Sequence, residues 1–146
     1  MIRVADHSDI ETLVALGQAM HSESEYRSLP YVPEKFSATL AHYIENEIVF
    51  IAERDGQVVG GLVGGVAEYH FCHELYGYEL AVFVLPEHRG SLAAFAMLRA
   101  FEGWCKAKGV KRIDLGITTG VHEEQTARFY GKMGYNKCGS IYRKGF

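Results

Sequence analysis

Apolar positions recur at helical spacing in four stretches and alternate, or run together, in the stretches between them. Ile10, Leu13, Val14 and Leu16 form the first helical stripe, behind Ser8-Asp9-Ile10-Glu11. That Ser-x-x-Glu order is a capping box, so a helix is predicted from Ser8 to about His21. The stretch from Ser22 to Pro33 is polar and aromatic, with Pro30 and Pro33 bracketing Tyr31-Val32, and reads as a loop. Pro33 suits the first turn of a second helix carrying Phe36, Leu40, Tyr43 and Ile44. At Ile48 the period changes to that of a strand, Ile48–Arg54, followed by Asp55-Gly56, a strong hairpin signal.

The return strand, Val58–Val66, holds two Gly pairs, which imply bulges or a close backbone approach. A further strand, Tyr78–Leu85, stops at Pro86, and a long helix is expected from about Ser91 to Lys108, capped by Gly109. Lys111–Ile117 reads as a strand, the stretch from His122 to Met133 as a helix capped by Gly134, and Ile141-Tyr142 as a final edge strand. With Ile2–Ala5 at the start, the prediction is an α/β fold: a strongly twisted mixed sheet of six or seven short strands with helices on both faces. Nothing divides residues 1–146, and one domain is expected.

Composition narrows the function classes. Hydrophobic residues are 48% and charged residues 23% of 146, enough apolar content to bury a core without a disulfide or metal staple. The net charge of −3 argues against affinity built on a nucleic-acid backbone. No apolar run approaches the length of a membrane span, Met1–Asp6 does not resemble a signal peptide, and the three Cys are too few and odd in number for a disulfide framework. A soluble, cytoplasmic protein is expected.

The chemically informative stretch is Val82–Ala94: a strand, a turn at Pro86, then small residues opening a helix. Backbone amides at such a helix start have no intrahelical partner and form an anion site, and Arg89 stands where its guanidinium can meet the same anion. Here the sequence resembles the GNAT superfamily of acyl-CoA-dependent N-acetyltransferases. Val84-Leu85-Pro86 followed by Arg89-Gly90-Ser91-Leu92-Ala93-Ala94 is similar to the family's cofactor turn, with Leu92 where the family usually has its middle Gly. Ala127-Arg128-Phe129-Tyr130-Gly131-Lys132-Met133-Gly134-Tyr135 is similar to its second signature, Ala-x-x-Tyr-x-x-x-Gly-Phe/Tyr, with Glu124 in place of a frequent Asn.

The resemblance implies acetyl transfer from acetyl-CoA to a primary amine by direct attack in a ternary complex. It implies that Arg89, Gly90, Ser91, Leu92, Ala93 and Ala94 cradle the pyrophosphate, that Val82, Val84, Glu124 and Tyr130 contact the cofactor, and that the Val84 amide serves the carbonyl oxygen. Tyr130 becomes the acid for the departing thiolate, while Tyr26 and Tyr31 fall beside the acceptor. An ammonium of pKa about 10.4 must lose a proton before it attacks. Glu79, a carboxylate in an otherwise apolar strand, is the candidate base and substrate contact; its other reading is a structural carboxylate paired with a Lys or Arg. Strict alternation puts Glu79, Ala81, Phe83 and Leu85 on one face and Leu80, Val82 and Val84 on the other. A catalytically silent CoA-binding or protein-interaction module of the same fold is the alternative, and transfer of a longer acyl or an aminoacyl group a third reading.

His70-Phe71-Cys72-His73-Glu74 invites a metal or nucleophile reading. It lacks a second ligand pair at zinc-type spacing, so no metal is assigned and a substrate-side loop is expected. Phe95, Met97, Leu98, Phe101, Trp104 and Cys105 are expected in the core. Glu23, Glu25, Glu45, Glu47 and Glu74 are read as solvated charges, with attraction of a cationic amine as the second reading. A homodimer through an exposed C-terminal edge strand is a further expectation.

Overall fold

β-branched and aromatic runs pair into a five-stranded sheet in the order β1-β2-β3-β4-β5. The computed structural model describes all 146 residues. Along the chain come β1 (Ile2–Val4), α1 (Ile10–Glu23), α2 (Pro33–Asn46), β2 (Ile48–Arg54), β3 (Gln57–Glu68), β4 (Leu75–Val84), α3 (Ala93–Ala107), β5 (Arg112–Asp114) and α4 (Glu123–Lys132). Short 3₁₀ turns occupy His7–Asp9, Glu25–Ser28 and Pro86–His88. The first three pairings are antiparallel and β4–β5 is parallel, with α3 as the crossover between them.

The sheet thus has five strands, not the expected six or seven. No strand forms after Met133, because Ile141 and Tyr142 lie 68% and 92% exposed and find no apolar face to cover. The C-terminal edge strand expected to carry a dimer is therefore absent. The capping box also shifts: the Asp6 carboxylate accepts from the Ser8 amide at 2.8 Å, and the Asp9 carboxylate accepts from the Asp6 amide at 2.9 Å. Ser8 turns its own hydroxyl to Asp6 and caps nothing, so a 3₁₀ turn precedes α1.

Helices cover both faces. α1 and α2 pack with Leu13 and Leu40 against Val49, Ile51 and Val63, while α3 packs with Met97, Leu98, Phe101 and Cys105 against Ile48, Phe50, Leu62 and Val84. The fit of α3 depends on missing side chains in the sheet. A Cβ at Gly64 would stand 2.5 Å from the Phe101 ring, and one at Gly77 would stand 2.6 Å from Cys105 Sγ. The β2–β3 hairpin closes through Asp55 and Gly56 at φ 51° and 76°, the backbone that Asp-Gly favours in a two-residue turn.

The pairing of β3 with β4 carries an irregularity at Gly64, one of the paired glycines that imply a bulge, and the extra residue lies on β4. Ala81 pairs with Val63 and Glu79 with Gly64, so Leu80 is an extra, bulged residue. The bulge changes the phase of the strand. Glu79 comes onto the α3 face together with Val82 and Val84, while Ala81 and Phe83 face α1, which corrects the alternation expected from strict period two.

Candidate active site

β4 and β5 pair only at Tyr76–Arg112, Gly77–Ile113 and Tyr78–Asp114, and β5 ends there while β4 continues to Val84. Beyond this point the two strands part, and a cavity of about 510 Å³ opens along the exposed edge of β4. Its walls are β4 from Glu79 to Val84, the segment Leu115–Thr119, the end of α1 with the following loop, the start of α3, and α4.

The register fixes what this edge offers. The Leu85 amide donates to the Val59 carbonyl at 2.9 Å, so Gly60 and Val84 form a non-hydrogen-bonded pair, as do Leu62 and Val82 two residues on. The amides and carbonyls of Val82 and Val84 consequently face the gap rather than β3. The Val84 carbonyl accepts from Arg89 Nε at 3.0 Å, and its amide remains directed at the gap.

Glu79 and Tyr130 meet on a single peptide. The Gly116 amide donates to Glu79 Oε1 at 2.8 Å, and the Tyr130 hydroxyl donates to the Gly116 carbonyl at 3.3 Å. Burial pushes the Glu79 carboxyl up to about 7, the Gly116 amide pulling weakly the other way. Burial, and then the charge of Glu79, push the Tyr130 phenol above its usual range, so it stays protonated. The carboxylate has no Lys or Arg partner; its bond is to Gly116, so the ion-pair reading of Glu79 does not hold.

The turn after β4 presents unsatisfied donors. Ser91 Oγ accepts from the Ala93 amide at 3.3 Å, whereas the amides of Gly90, Leu92, Ala94 and Phe95 meet no protein acceptor. Gly90 has φ 81°, which a side chain would strain, and Leu92 points outward at 78% exposure, so its bulk leaves the turn open. Arg89 differs from expectation. Its guanidinium is taken by Glu23, with Nη1 and Nη2 at 2.5 and 2.6 Å from the two carboxylate oxygens. This pair clamps the end of α1 to the cofactor-type turn and holds the Glu23 carboxyl below the usual range.

Of the residues singled out from sequence, Glu79, Val82, Val84, Arg89, Ala94, Tyr26, Tyr31 and Tyr130 line the cavity. Gly90, Ser91, Leu92 and Ala93 form its rim turn, and Glu124 lies exposed on α4 outside it. Tyr31 donates to the Val14 carbonyl at 2.7 Å, and Tyr26 accepts from Arg143 Nη2 at 2.6 Å. The His70–Glu74 loop sits at the opposite end of β4 and lines no part of the cavity, so it is not a substrate-side loop.

Sequence reasoning missed three titratable residues of the cavity wall. Glu23, expected as a solvated charge, instead pairs with Arg89, 66 residues away in the chain. His21 lines the wall with a buried Nε2 that has no hydrogen-bond partner, and His122 enters at φ 46° ahead of α4. No motif marks either histidine.

A mixed α/β fold whose last, parallel strand pair parts to free an edge, followed by a helix start with bare amides, is the frame of this site. Solved structures with this fold include an acetyltransferase from Trypanosoma brucei (17% identity, TM-score 0.75, 100% of this chain and 99% of that one). A predicted acetyltransferase with acetyl-CoA from Clostridium acetobutylicum matches at 19% identity and TM-score 0.77, covering 99% and 95%. AAC(6')-Iy in complex with the bisubstrate analog CoA-S-monomethyl-acetylneamine matches at 17% identity and TM-score 0.78, covering 100% and 98%. No curated protein matches the sequence. The profile of the Acetyltransferase (GNAT) family matches residues 15–135, and the chain belongs to that family.

Proposed function

We propose that the protein transfers an acetyl group from acetyl-CoA to a primary amine, by direct attack within a ternary complex. The observation that carries this reading is the meeting of Glu79 and Tyr130 on Gly116, at the edge of β4 where the Val84 amide is free. Acetyl-CoA supplies the acetyl group as a thioester. The bare amides at Gly90, Leu92, Ala94 and Phe95 suit its pyrophosphate, with the dipole of α3 behind them. The free amide and carbonyl of Val82 suit the amide-bearing pantetheine arm, which pairs there as a strand would.

Glu79 takes the proton of the bound ammonium, directly or through one water, and its position near pH 7 suits that exchange. The amine nitrogen then bonds to the acetyl carbon as the carbon–sulfur bond breaks. The Val84 amide donates to the carbonyl oxygen while it carries negative charge. Tyr130 donates its phenolic proton to the departing sulfur, and the second proton shed by the new amide nitrogen, passed through water, restores the phenol. Arg89 acts indirectly, holding the Val84 carbonyl and the end of α1.

Thiol release from acetyl-CoA over a panel of primary amines, with calorimetric binding of CoA alongside, tests this reading. Tyr130→Phe is expected to lower kcat about 10²- to 10⁴-fold with CoA affinity nearly unchanged. Unaltered turnover in that variant removes Tyr130 from the chemistry. CoA binding without turnover of any amine by the native protein leads instead to the silent-module alternative.

A further inference from the structure

The bulge at Leu80 divides the cavity between two faces of the sheet. Glu79, Val82, Val84 and Leu98 belong to the α3 side, where the acetyl donor is assigned. Met20, Tyr31, Phe36, Ala81 and Phe83 belong to the α1–α2 side. We propose that this α1–α2 half takes a small primary amine with one positive charge on an apolar or aromatic body, and rejects polyamines, aminoglycosides and peptide N-termini. The assignment of an acceptor to this half rests on the acetyl-transfer reading above.

Charge limits what this half can hold. The cavity wall on this side contains one carboxylate, Glu23, and both of its oxygens are already held by Arg89. Glu25, just outside, is held by Arg143 at 2.8 Å. The remaining titratable groups facing this half are His21, His122, Tyr26 and Tyr31. A second ammonium entering here would be desolvated without an anionic partner. A single ammonium is served by Glu79 at the junction and by the faces of aromatic rings.

Enclosure limits the size of the occupant. The Glu25 amide donates to the Thr119 carbonyl at 2.8 Å, and Arg143 donates to the Tyr26 hydroxyl at 2.6 Å and to the Thr118 carbonyl at 2.7 Å. A Cβ at Gly120 would stand 2.7 Å from Glu25, so these loops are in close contact. The loop after α1 and the loop before α4 are thereby tied across the mouth, with the C-terminal tail laid over them. Since the 510 Å³ is shared with the donor's arm, what remains admits a small molecule with an apolar body.

Titration calorimetry into the CoA-saturated protein tests the inference independently of turnover. The probes are phenethylamine, its 4-aminomethyl derivative (the same body with a second ammonium), spermidine, neamine and an alanine-initiated tetrapeptide. Phenethylamine is expected to bind at least tenfold more tightly than each of the others. Met20→Glu, which sets a free carboxylate in this wall, is expected to narrow the gap to the 4-aminomethyl derivative about tenfold. Equal or tighter binding of any of the other four probes, or no binding of any amine by a protein that binds CoA, overturns the inference. An unchanged preference in a CoA-binding Met20→Glu variant overturns it as well, and the wild-type series decides alone if that variant does not fold. Preferential phenethylamine binding without acetylation defeats the transfer reading and leaves the pocket assignment standing.

Discussion

Glu79 has one local neighbour that matters, the Gly116 amide, and otherwise an environment that opposes its charge. With its folded pKa raised to about 7 from a usual 4.5, the native state binds more protons than the unfolded chain between those values. Stability therefore falls as pH rises through this window, and the cost is complete above about pH 7. Glu79→Gln is expected to stabilise the protein at pH 8 by on the order of 1–3 kcal/mol and to change little at pH 4. Chemical denaturation at the two pH values checks this, and equal effects at both would contradict the raised pKa. For catalysis, the limb of kcat/KM that rises near pH 7 should vanish in the same variant, with Tyr130 contributing no limb in that range. The carboxylate and the tyrosine stood out in the sequence as a charge in an apolar strand and a signature residue. Their joint use of Gly116 did not, because no spacing rule links positions 79, 116 and 130.

At the scale of elements, the site depends on α3 lying close to β3 and β4. Gly64→Ala drives a methyl into Phe101, and it is expected to cost about 1–3 kcal/mol, with Tm falling about 2–4 °C for each. Thermal melts of Gly64→Ala and of the compensating Gly64→Ala/Phe101→Leu pair distinguish overpacking from a general loss of strand stability, since only overpacking is relieved in the pair. The Arg89–Glu23 clamp joins α1 to the turn after β4. A double-mutant cycle of Arg89→Ala and Glu23→Gln should give a coupling on the order of 1 kcal/mol, because the pair is bidentate and about a quarter exposed. A coupling near zero would return Arg89 to the direct anion contact suggested by its place in the motif.

Over the whole molecule, a C-terminal tail without regular structure reaches back to the site. Arg143 lies 4.8 Å over the Tyr26 ring and bonds both loops across the mouth. Its exposed position implies a stability contribution of only about 0–1 kcal/mol. Its effect on the enclosed half should be larger: Arg143→Ala is expected to raise KM for the amine several-fold while leaving CoA affinity and Tm nearly unchanged. Initial-rate kinetics over both substrates check the separation, and a matching loss of CoA affinity would assign the tail to the donor side instead.

Contiguous residues determined much of this protein. Asp55-Gly56 set the hairpin because positive φ is a property of those two residues, and Pro33 set the start of α2 by its own ring. Val84-Leu85-Pro86 through Ala94 likewise encoded a strand, a turn and a helix start with bare amides, since each step is a local choice of backbone. The tertiary structure decided the rest. The bulge at Leu80 arises from the match of β4 to β3, and nothing in Glu79-Leu80-Ala81 marks it. Five strands formed because the tail had no apolar face to cover, and Arg89 went to Glu23 because folding brought a carboxylate within reach. Partner choice among distant polar groups depends on where the chain has already placed them, and a linear sequence holds no term for that distance.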